Sequence, residues 1–468
     1  MQRDEEREIL RRAIKADPEG VIDIILELKR CVEDSKRRIQ ELEARLKMNS
    51  RNSSKPPGSD GYNRPSPKSQ RKRSGRKSGG QKGHPGSTLQ KSAEPDRVVP
   101  LELERCPHTG EPLGPGNVVS TIVRQVFELP EPRLEVTEYQ AFVYKVPGTG
   151  ALVHAPFPEG VAAPLQYGFR FQAWLVYLAD YQLVPLRRVR RMCQDLFGLS
   201  VSEASVAAAR QRCEANLAEF ARLTGARLAG EEVLHADETG MRVGAKTVWL
   251  HSLSTERETL YHIDPRRGAE AIERMGVLAD FQGWLIHDFW KAYLGLGCKH
   301  GICNSHIVRE LRFFADLGQA WAAKLIELLL RARADPGAKP PDKWRAQYRR
   351  LVRQGYASNP FKQPPRRKGQ RGRAARPKAV NLLDRLDQYE DWILAFIVHE
   401  QVPFTNNQAE RDVRMAKVKQ KISGCFRTWK GARTFATVRS YISTCVKRKV
   451  SVFEALTEAM RDRAVAFQ

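Results

Sequence analysis

Three acidic side chains occupy positions from which they could share a metal ion. Asp237 ends the apolar run EEVLHAD, and Asp288 ends the run GWLIHD. Both runs read as buried β-strands, so the two carboxylates can meet at one edge of a sheet. Such a pair binds hard divalent cations through oxygen and usually needs a third acid. Glu410 is the candidate, because a helix starting near Asn406 would carry it among phosphate-binding bases.

Each acid also has an ordinary structural explanation. Asp237 could cap a strand, and Glu410 could pair with a neighbouring base; only the combination of the three favours a metal site. Glu238 would point to the other side of the strand, since side chains alternate along it, and is assigned no metal. Should Glu410 not be the third ligand, Glu400 and Glu390 are the next candidates.

Polar residues around Glu410 are candidates for phosphate binding or site support. Asn407, Arg411 and Arg414 are placed for either task, although they could equally serve the fold. The spacing puts Arg414, Lys417 and Lys421 on or near one helix face.

A second group of ligand-type residues lies nearby. Cys298, His300, Cys303 and His306 have side chains that suit zinc. We do not expect zinc, because the single residue between the first two is tight for a tetrahedral site. His306 is instead predicted to support the acids or a substrate phosphate.

The elements that must position the acids form an α/β unit. The pattern predicts strands over 231–243, 246–254, 258–264 and 283–287, with a helix between the last two. We assign the catalytic domain to 229–425, with a helical insertion at about 307–400, and further helices to 426–468.

Two basic segments predict contact with nucleic-acid phosphate. Residues 49–92 contain eleven Lys and Arg and one acid, and their Ser, Gly and Pro content predicts a disordered arm. The run 366–378 has seven bases and no acid. A solvated loop is the alternative for either run. The predicted DNA-binding residues are Lys68, Arg71, Lys72, Arg73, Arg76, Lys77, Lys82, Arg366, Arg367, Lys368, Arg371 and Arg373.

The N-terminal segment 1–48 carries a heptad pattern. Alternating steps of three and four residues predict a short coiled coil and a homo-oligomer; a single amphipathic helix packing on its own chain is the alternative. The seam positions are Ile25, Leu28, Val32, Ile39, Leu42 and Leu46.

Two further units are predicted between the arm and the acids. Residues 93–160 read as three β-strands, at 98–104, 118–130 and 134–146, with Cys106 and His108 lacking the second ligand pair that zinc needs. Residues 161–228 read as helical. A turn at Gly198 between two helices makes them a candidate helix-turn-helix, with plain packing helices equally compatible.

Composition limits the function classes. The chain has 468 residues and a formal charge of +25, which indicates a polyanionic partner. No apolar stretch reaches the roughly 20 residues of a spanning helix, and the charged N-terminus lacks a signal peptide. Eight scattered cysteines form no disulfide framework. We therefore expect a cytoplasmic nucleic-acid binder without membrane contact.

The motifs taken together resemble one family. NSSKPPGSDG, RKSGGQKGHPGSTL, HADETG, HDFWKAY, CNSHIVREL and NNQAERDVRMAKVKQKISGCF are similar to the TnpC-like transposases of bacterial insertion sequences of the sixty-six type. The resemblance implies a multidomain α+β protein with a DDE catalytic core of RNase H-like fold. The family's acids correspond to Asp237, Asp288 and Glu410. Its zinc-finger-like segment has paired cysteines where this chain has KVPGTG, so zinc is not expected there either.

The resemblance implies a transposase that cleaves transposon ends and joins them to target DNA. Three acids of this kind would hold Mg²⁺ or Mn²⁺, with two ions about 3.5–4 Å apart bridging them. The DNA partners would be terminal inverted repeats and a target, and helper proteins stay open. An RNase H-like nuclease or resolvase, or a catalytically dead DNA-binding remnant, are the alternatives.

Overall fold

The described part of the chain is a mixed α+β protein, as predicted. The computed structural model describes residues 2–46, 48–49, 51–53, 83, 86, 88–362, 376–465 and 467. These residues form sixteen α-helices and two β-sheets. The predicted DNA-binding residues of both basic segments lie outside the described residues.

Two helices form the N-terminal segment. Helix α1 covers Gln2–Ala16 and α2 covers Pro18–Leu46, with Asp17 between them accepting the Gly20 N–H at 2.9 Å. The heptad region is therefore helical. Its seam side chains are all exposed, from 46 % at Leu42 to 88 % at Leu46. No described part of the chain buries this seam, and its pairing into a coiled coil stays a prediction.

The three strands predicted within residues 93–160 are wrong in extent. Only Val143–Lys145 (β1) and Leu152–His154 (β2) pair, as a short antiparallel ladder. The β-branched runs 98–104 and 118–130 form no strand, and Leu101 and Val119 are more than 90 % exposed. Strand propensity expresses packing on a half-buried surface, and within the described residues these runs have no surface to pack on.

A helical unit precedes the main sheet. Its helices are α3 (Phe169–Val176), α4 (Leu186–Phe197), α5 (Glu203–Asn216) and α6 (Ala218–Ala229), with a π-helical turn at Tyr177–Tyr181. Gly198, at φ 63°, ends α4 in the left-handed region that favours glycine, and Ser202 caps α5. The predicted helix, glycine turn and second helix are thus present.

Helix α5 has one buried face and one exposed face, the latter formed by Ala204, Ala208, Arg212 and Ala215. It packs on α3 and α4, and its Arg210 is buried in a two-pronged ion pair with Asp180, with both N–O distances 2.6 Å. A helix with one exposed face is compatible both with plain packing and with a DNA-reading second helix, so the helix-turn-helix stays a prediction. Four arginines on α4 are exposed: Arg187, Arg188, Arg190 and Arg191.

The main sheet has five strands among the described residues. They are β3 (Val233–Val243), β4 (Lys246–Ser254), β5 (Thr259–Asp264), β6 (Trp284–His287) and β7 (Lys299–Ile302), and α7 (Ala269–Met275) lies between β5 and β6. The order across the sheet is β5-β4-β3-β6-β7. Strand β4 is antiparallel to its neighbours β3 and β5, whereas β3, β6 and β7 run parallel.

Six helices lie between β7 and the helix that carries Glu410 in the part of this segment that the structure describes, 303–362 and 376–406. They are α8 (Asn304–Asp316), α9 (Ala320–Ala334), α10 (Pro341–Ser358), α11 (Lys378–Gln388), α12 (Glu390–Ile393) and α13 (Ala395–Val398). Their shared core includes Trp321, Trp344 and Tyr348. Gly355 lets α10 approach α11, since a Cβ there would lie 2.4 Å from Leu383.

Three helices complete the chain: α14 (Asn407–Ser423), α15 (Trp429–Lys447) and α16 (Val452–Met460). Helix α15 packs on β5 with one side and on α5 with the other. The backbone N–H groups of Thr259 and Tyr261, on the edge strand β5, donate to Thr444 Oγ1 (3.2 Å) and Ser440 Oγ (2.8 Å). The boundary predicted at 425/426 falls between α14 and α15, which share one core with the sheet. Helices α15 and α16 share a second core with the helical unit.

Candidate active site

Asp237 lies within β3, not at its end as predicted, and Asp288 directly follows β6, the parallel neighbour of β3 at the middle of the sheet. In the β3–β6 register, Leu234 is opposite Leu285 and His235 is opposite Ile286. Continued by two residues, the register places Asp237 opposite Asp288. Opposite residues of parallel strands point to the same face, so the two carboxylates are brought together there.

The pKa of Asp237 depends on its burial and on the charges of neighbouring acids, one of which is Glu410. Burial, followed by the charges of Glu238, Asp288 and Glu410, raises the pKa of Asp237 from 3.8 to about 8. The Glu238 N–H donates to Asp237 Oδ1 at 2.9 Å and offsets this only in part. Since charges act strongly only over short distances in a protein, Asp288 and Glu410 both lie in the neighbourhood of Asp237, together with Glu238.

Asp288 stands in a turn directly after β6. Its Oδ1 accepts the Trp290 N–H at 3.1 Å. Phe289 between them has φ 70°, a conformation that costs a residue with a Cβ free energy. The Phe289 N–H donates to His287 Nδ1 at 3.2 Å, and this bond holds the turn.

Glu410 lies in the first turn of α14, beside two residues of the CNSH motif. Its Oε1 is 3.9 Å from His306 Nδ1 and 3.8 Å from the Cys303 Sγ. Among the described residues, these three form the one group of three ligand-type side chains whose donor atoms lie within 4.8 Å of one another. Burial first, and then the Glu410 charge, raises the pKa of the Cys303 thiol to about 12.

The protonation of His306 follows from its neighbours. The Arg309 guanidinium donates to His306 Nε2 at 3.2 Å, so Nε2 is an acceptor and Nδ1 carries the proton. That Nδ1 is buried without a hydrogen-bond partner and faces Glu410. Burial is the main cause that lowers the pKa of His306, and the Arg309 charge acts in the same direction.

The four zinc-type residues separate in the fold. His300 bonds to His287 and Leu296 instead of joining Cys303 and His306. Cys298 is buried in the core formed by β3, β6 and α7. A four-ligand site from CKHGICNSH is therefore not formed.

Asn406 is the residue that sequence reasoning missed. It is 1 % exposed; its Nδ2 donates to Ala236 O at 2.7 Å, and its Oδ1 accepts from His235 Nδ1 at 2.9 Å. Its own N–H donates to Cys303 Sγ at 3.3 Å. Asn406 thus ties the start of α14 to the backbone beside Asp237. The Asn-Asn pair before a helix was the available signal, but it indicates a cap equally well.

Glu238 has a different environment from Asp237. It is buried, and it accepts hydrogen bonds from Arg267 Nη2 at 2.7 Å and Tyr293 Oη at 2.8 Å. The Arg267 guanidinium lies between two indole rings, 4.7 Å from Trp249 and 3.5 Å from Trp290. The Glu238 carboxylate is therefore occupied by structural partners.

The remaining predicted residues of α14 are at the surface. Asn407, Arg411 and Arg414 are all exposed, and Arg411 donates to Gln408 Oε1 at 2.8 Å. Of the alternative third acids, Glu390 is paired with Arg345 and Arg349, at 3.1 and 2.7 Å. Glu400 is exposed. Of the three candidates for the third acid, Glu410 is the one whose charge is among the causes that raise the pKa of Asp237.

Comparison with known families gives the class of protein. A family model described as "Transposase IS66 family" matches residues 164–434, which include the sheet, the three acids and α14. The chain belongs to the IS66 family of transposases. A second model, for a family of unknown function (DUF6444), matches residues 1–90. A search of curated proteins finds no match. None of the described helices is both long and apolar enough to cross a membrane.

Proposed function

We propose that this transposase cleaves insertion-sequence ends and joins them to target DNA by metal-dependent phosphoryl transfer. Asp237, Asp288 and Glu410 are its proposed metal ligands. Asp237 lies on β3 and Asp288 directly follows the paired strand β6; this adjacency, with the Glu410 charge acting on Asp237, carries the proposal. Sheet order and a third acid on a following helix also support the RNase H-like interpretation.

The donor set fits a hard divalent cation. Burial first, and then the charges of Glu238, Asp288 and Glu410, raise the pKa of Asp237, so its ionised form is disfavoured without a cation. A divalent cation stabilises the ionised form and is bound through oxygen, as Mg²⁺ or Mn²⁺ prefers. We propose two such ions, in keeping with a three-acid site.

In this scheme the side chains of the protein bind the cations and orient one another. When bound, the cations supply Lewis acidity, which activates water or a DNA 3′-hydroxyl and neutralises charge on the phosphate. Asp237 and Asp288 bind from the sheet and Glu410 from α14, while His306 holds its protonated Nδ1 toward Glu410. No side chain acts as a covalent nucleophile in this scheme.

DNA contact and self-association complete the proposal. Arg411 and Arg414 are exposed on the helix that carries Glu410, where they would contact phosphate. The α4 arginines and the two basic segments would add contacts without sequence choice. The exposed seam of α2 would pair with a second copy, which suits a reaction on two transposon ends.

Carboxamide substitutions test the catalytic proposal. Asp237→Asn, Asp288→Asn and Glu410→Gln keep shape but lose the charge that binds the cation. Each is expected to abolish nicking and joining of duplexes bearing the inverted repeats that flank the gene, measured with Mg²⁺ on gels. Binding of the same duplexes should persist or tighten, because a carboxylate that repels phosphate is removed.

The controls are exposed acids on other parts of the fold. Asp280→Asn and Glu231→Gln are expected to cleave as the unaltered protein does. Glu238→Gln is a poor control, since it disrupts the buried pair with Arg267. Normal cleavage by Glu410→Gln would contradict its assignment and turn attention to Glu400. Cleavage without joining would favour a nuclease or resolvase.

A further inference from the structure

Two buried histidines beside Asp288 have no part in the proposed chemistry. His287 is the last residue of β6 and His300 lies on β7; they are 0 % and 3 % exposed. His287 Nε2 lies 3.1 Å from His300 Nδ1. Since side chains alternate along a strand, His287 points to the face opposite to that of its neighbour Asp288.

The hydrogen bonds leave each ring one neutral tautomer. His300 Nε2 lies 3.2 Å from Leu296 O, which can only accept, so Nε2 carries the proton. His300 Nδ1 is then an acceptor, and His287 Nε2 must be the donor to it. His287 Nδ1 is therefore unprotonated, as it must be to accept the Phe289 N–H at 3.2 Å.

These hydrogen bonds hold the Phe289 N–H, which is part of the peptide that joins Asp288 to Phe289. Phe289 keeps φ 70° there, although its Cβ disfavours that region. The orientation of this peptide sets where the Asp288 carboxylate points. His300 also holds Leu296 O, further along the loop that follows Asp288, through its Nε2.

We propose that His287 and His300 are positioning residues that fix the Asp288 carboxylate for cation binding. The inference rests on the proposed function of Asp288. His300 determines the tautomer of His287: without the His300 acceptor, His287 is free to carry its proton on Nδ1, where it would face the Phe289 N–H as donor against donor. Partners of this kind outside the ligand shell typically change metal affinity by about 10- to 100-fold.

A matched pair at position 287 tests the first bond. In His287→Asn, Oδ1 takes the place of Nδ1 and can still accept the Phe289 N–H. In His287→Gln, the amide reaches toward His300 but leaves that N–H without an acceptor. Mn²⁺ binding to the full chain without DNA, followed by electron paramagnetic resonance, is expected to weaken at least about tenfold in His287→Gln and less than about threefold in His287→Asn.

His300→Phe removes the hydrogen bond between His287 and His300 while keeping an aromatic ring in the core. The phenyl ring can keep the stack on Trp392, whose ring centre is 4.2 Å from that of His300, but supplies no acceptor. It is expected to weaken Mn²⁺ binding about tenfold alone. In a chain that already carries His287→Asn, His300→Phe should weaken Mn²⁺ binding little further. The Asn oxygen accepts the Phe289 N–H whatever residue stands at position 300. Cleavage at saturating Mn²⁺ should recover toward the unaltered rate.

Asp288→Asn distinguishes a failure of the proposed function of Asp288 from a failure of the positioning proposal. Asp288→Asn should abolish the Mn²⁺ site; if it binds Mn²⁺ normally, the proposed function of Asp288 is wrong and the positioning pair with it. If Asp288→Asn loses the metal while His287→Gln and His287→Asn bind it alike, or His300→Phe binds it normally, only the positioning proposal is overturned. A melting temperature measured for each variant shows that the chain is folded.

Discussion

Asp237→Asn is expected to stabilise the metal-free protein while removing its response to divalent cations. Burial and the neighbouring acids raise the pKa of Asp237 from 3.8 to about 8 in the folded chain. Between these two pH values the folded state holds a proton that the unfolded state releases, so stability falls as pH rises through this window. Asn cannot ionise in either state, and the variant escapes this loss.

The size of the effect follows from the same shift. At 1.36 kcal/mol per pKa unit, the loss at pH 7 is about 4 kcal/mol if the whole shift acts on stability. Asp237 is partly reached by solvent, which screens its neighbours, so we expect about 2 kcal/mol. For a folded domain of a few hundred residues, a gain of about 2 kcal/mol in the free energy of unfolding raises the melting temperature by about 4–8 °C.

Thermal unfolding in a chelator, followed by circular dichroism from pH 5.5 to 8.5, measures this directly. The unaltered chain should lose stability with rising pH more steeply than Asp237→Asn, and Mg²⁺ should restore it only in the unaltered chain. Asp280→Asn, at an exposed acid, should behave as the unaltered chain does. At pH 7.5, Asp237→Asn could instead melt at or below the melting temperature of the unaltered chain, with the same dependence on pH. That result would refute the argument that burial and neighbouring acids destabilise ionised Asp237.

Three further changes test other parts of the molecule. Leu28→Asp with Leu42→Asp puts charge into the α2 seam and should reduce the sedimenting mass to that of a monomer, and an unaltered mass would exclude this seam as the interface. Deleting 49–92 should weaken binding to all DNA and lower the slope of log K against log salt by about 0.9 per lost phosphate contact; an equal slope would exclude the segment from binding. Asn406→Ala should cut cleavage at least tenfold by releasing the start of α14, whereas the exposed Asn407→Ala should have little effect on rate; equal rates for the two would refute the tie to β3.

The parts of the fold that local pattern determines were predictable. The strand predicted over 231–243 is observed at Val233–Val243, and that over 258–264 at Thr259–Asp264. Apolar runs of this length are buried wherever the sheet is formed. The helix that carries Glu410 followed in the same way from its spacing. The position of Asp237 was predicted wrongly: it does not end its strand but lies within β3, which continues to Val243 in pairing with β4.

What the sequence left undetermined depends on tertiary contact. Strands were predicted at 98–104 and 118–130 from side-chain type alone, and they do not form because no described element covers them. Asn406 reads as a helix cap, and only the meeting of α14 with β3 reveals its bond to Ala236. His300 fits a zinc pattern along the chain, yet the neighbouring strand gives it His287 as a partner.

The side chains of α15 that bond to β5 have a consequence for synthesis. An uncovered edge strand can pair with other chains, and here Ser440 and Thr444 satisfy the N–H groups that would do so. Helix α15 leaves the ribosome after every strand of the sheet, so the edge stays open until then. A nonsense mutation before Trp429 would therefore yield an aggregating polypeptide instead of a soluble DNA-binding fragment that competes with intact transposase.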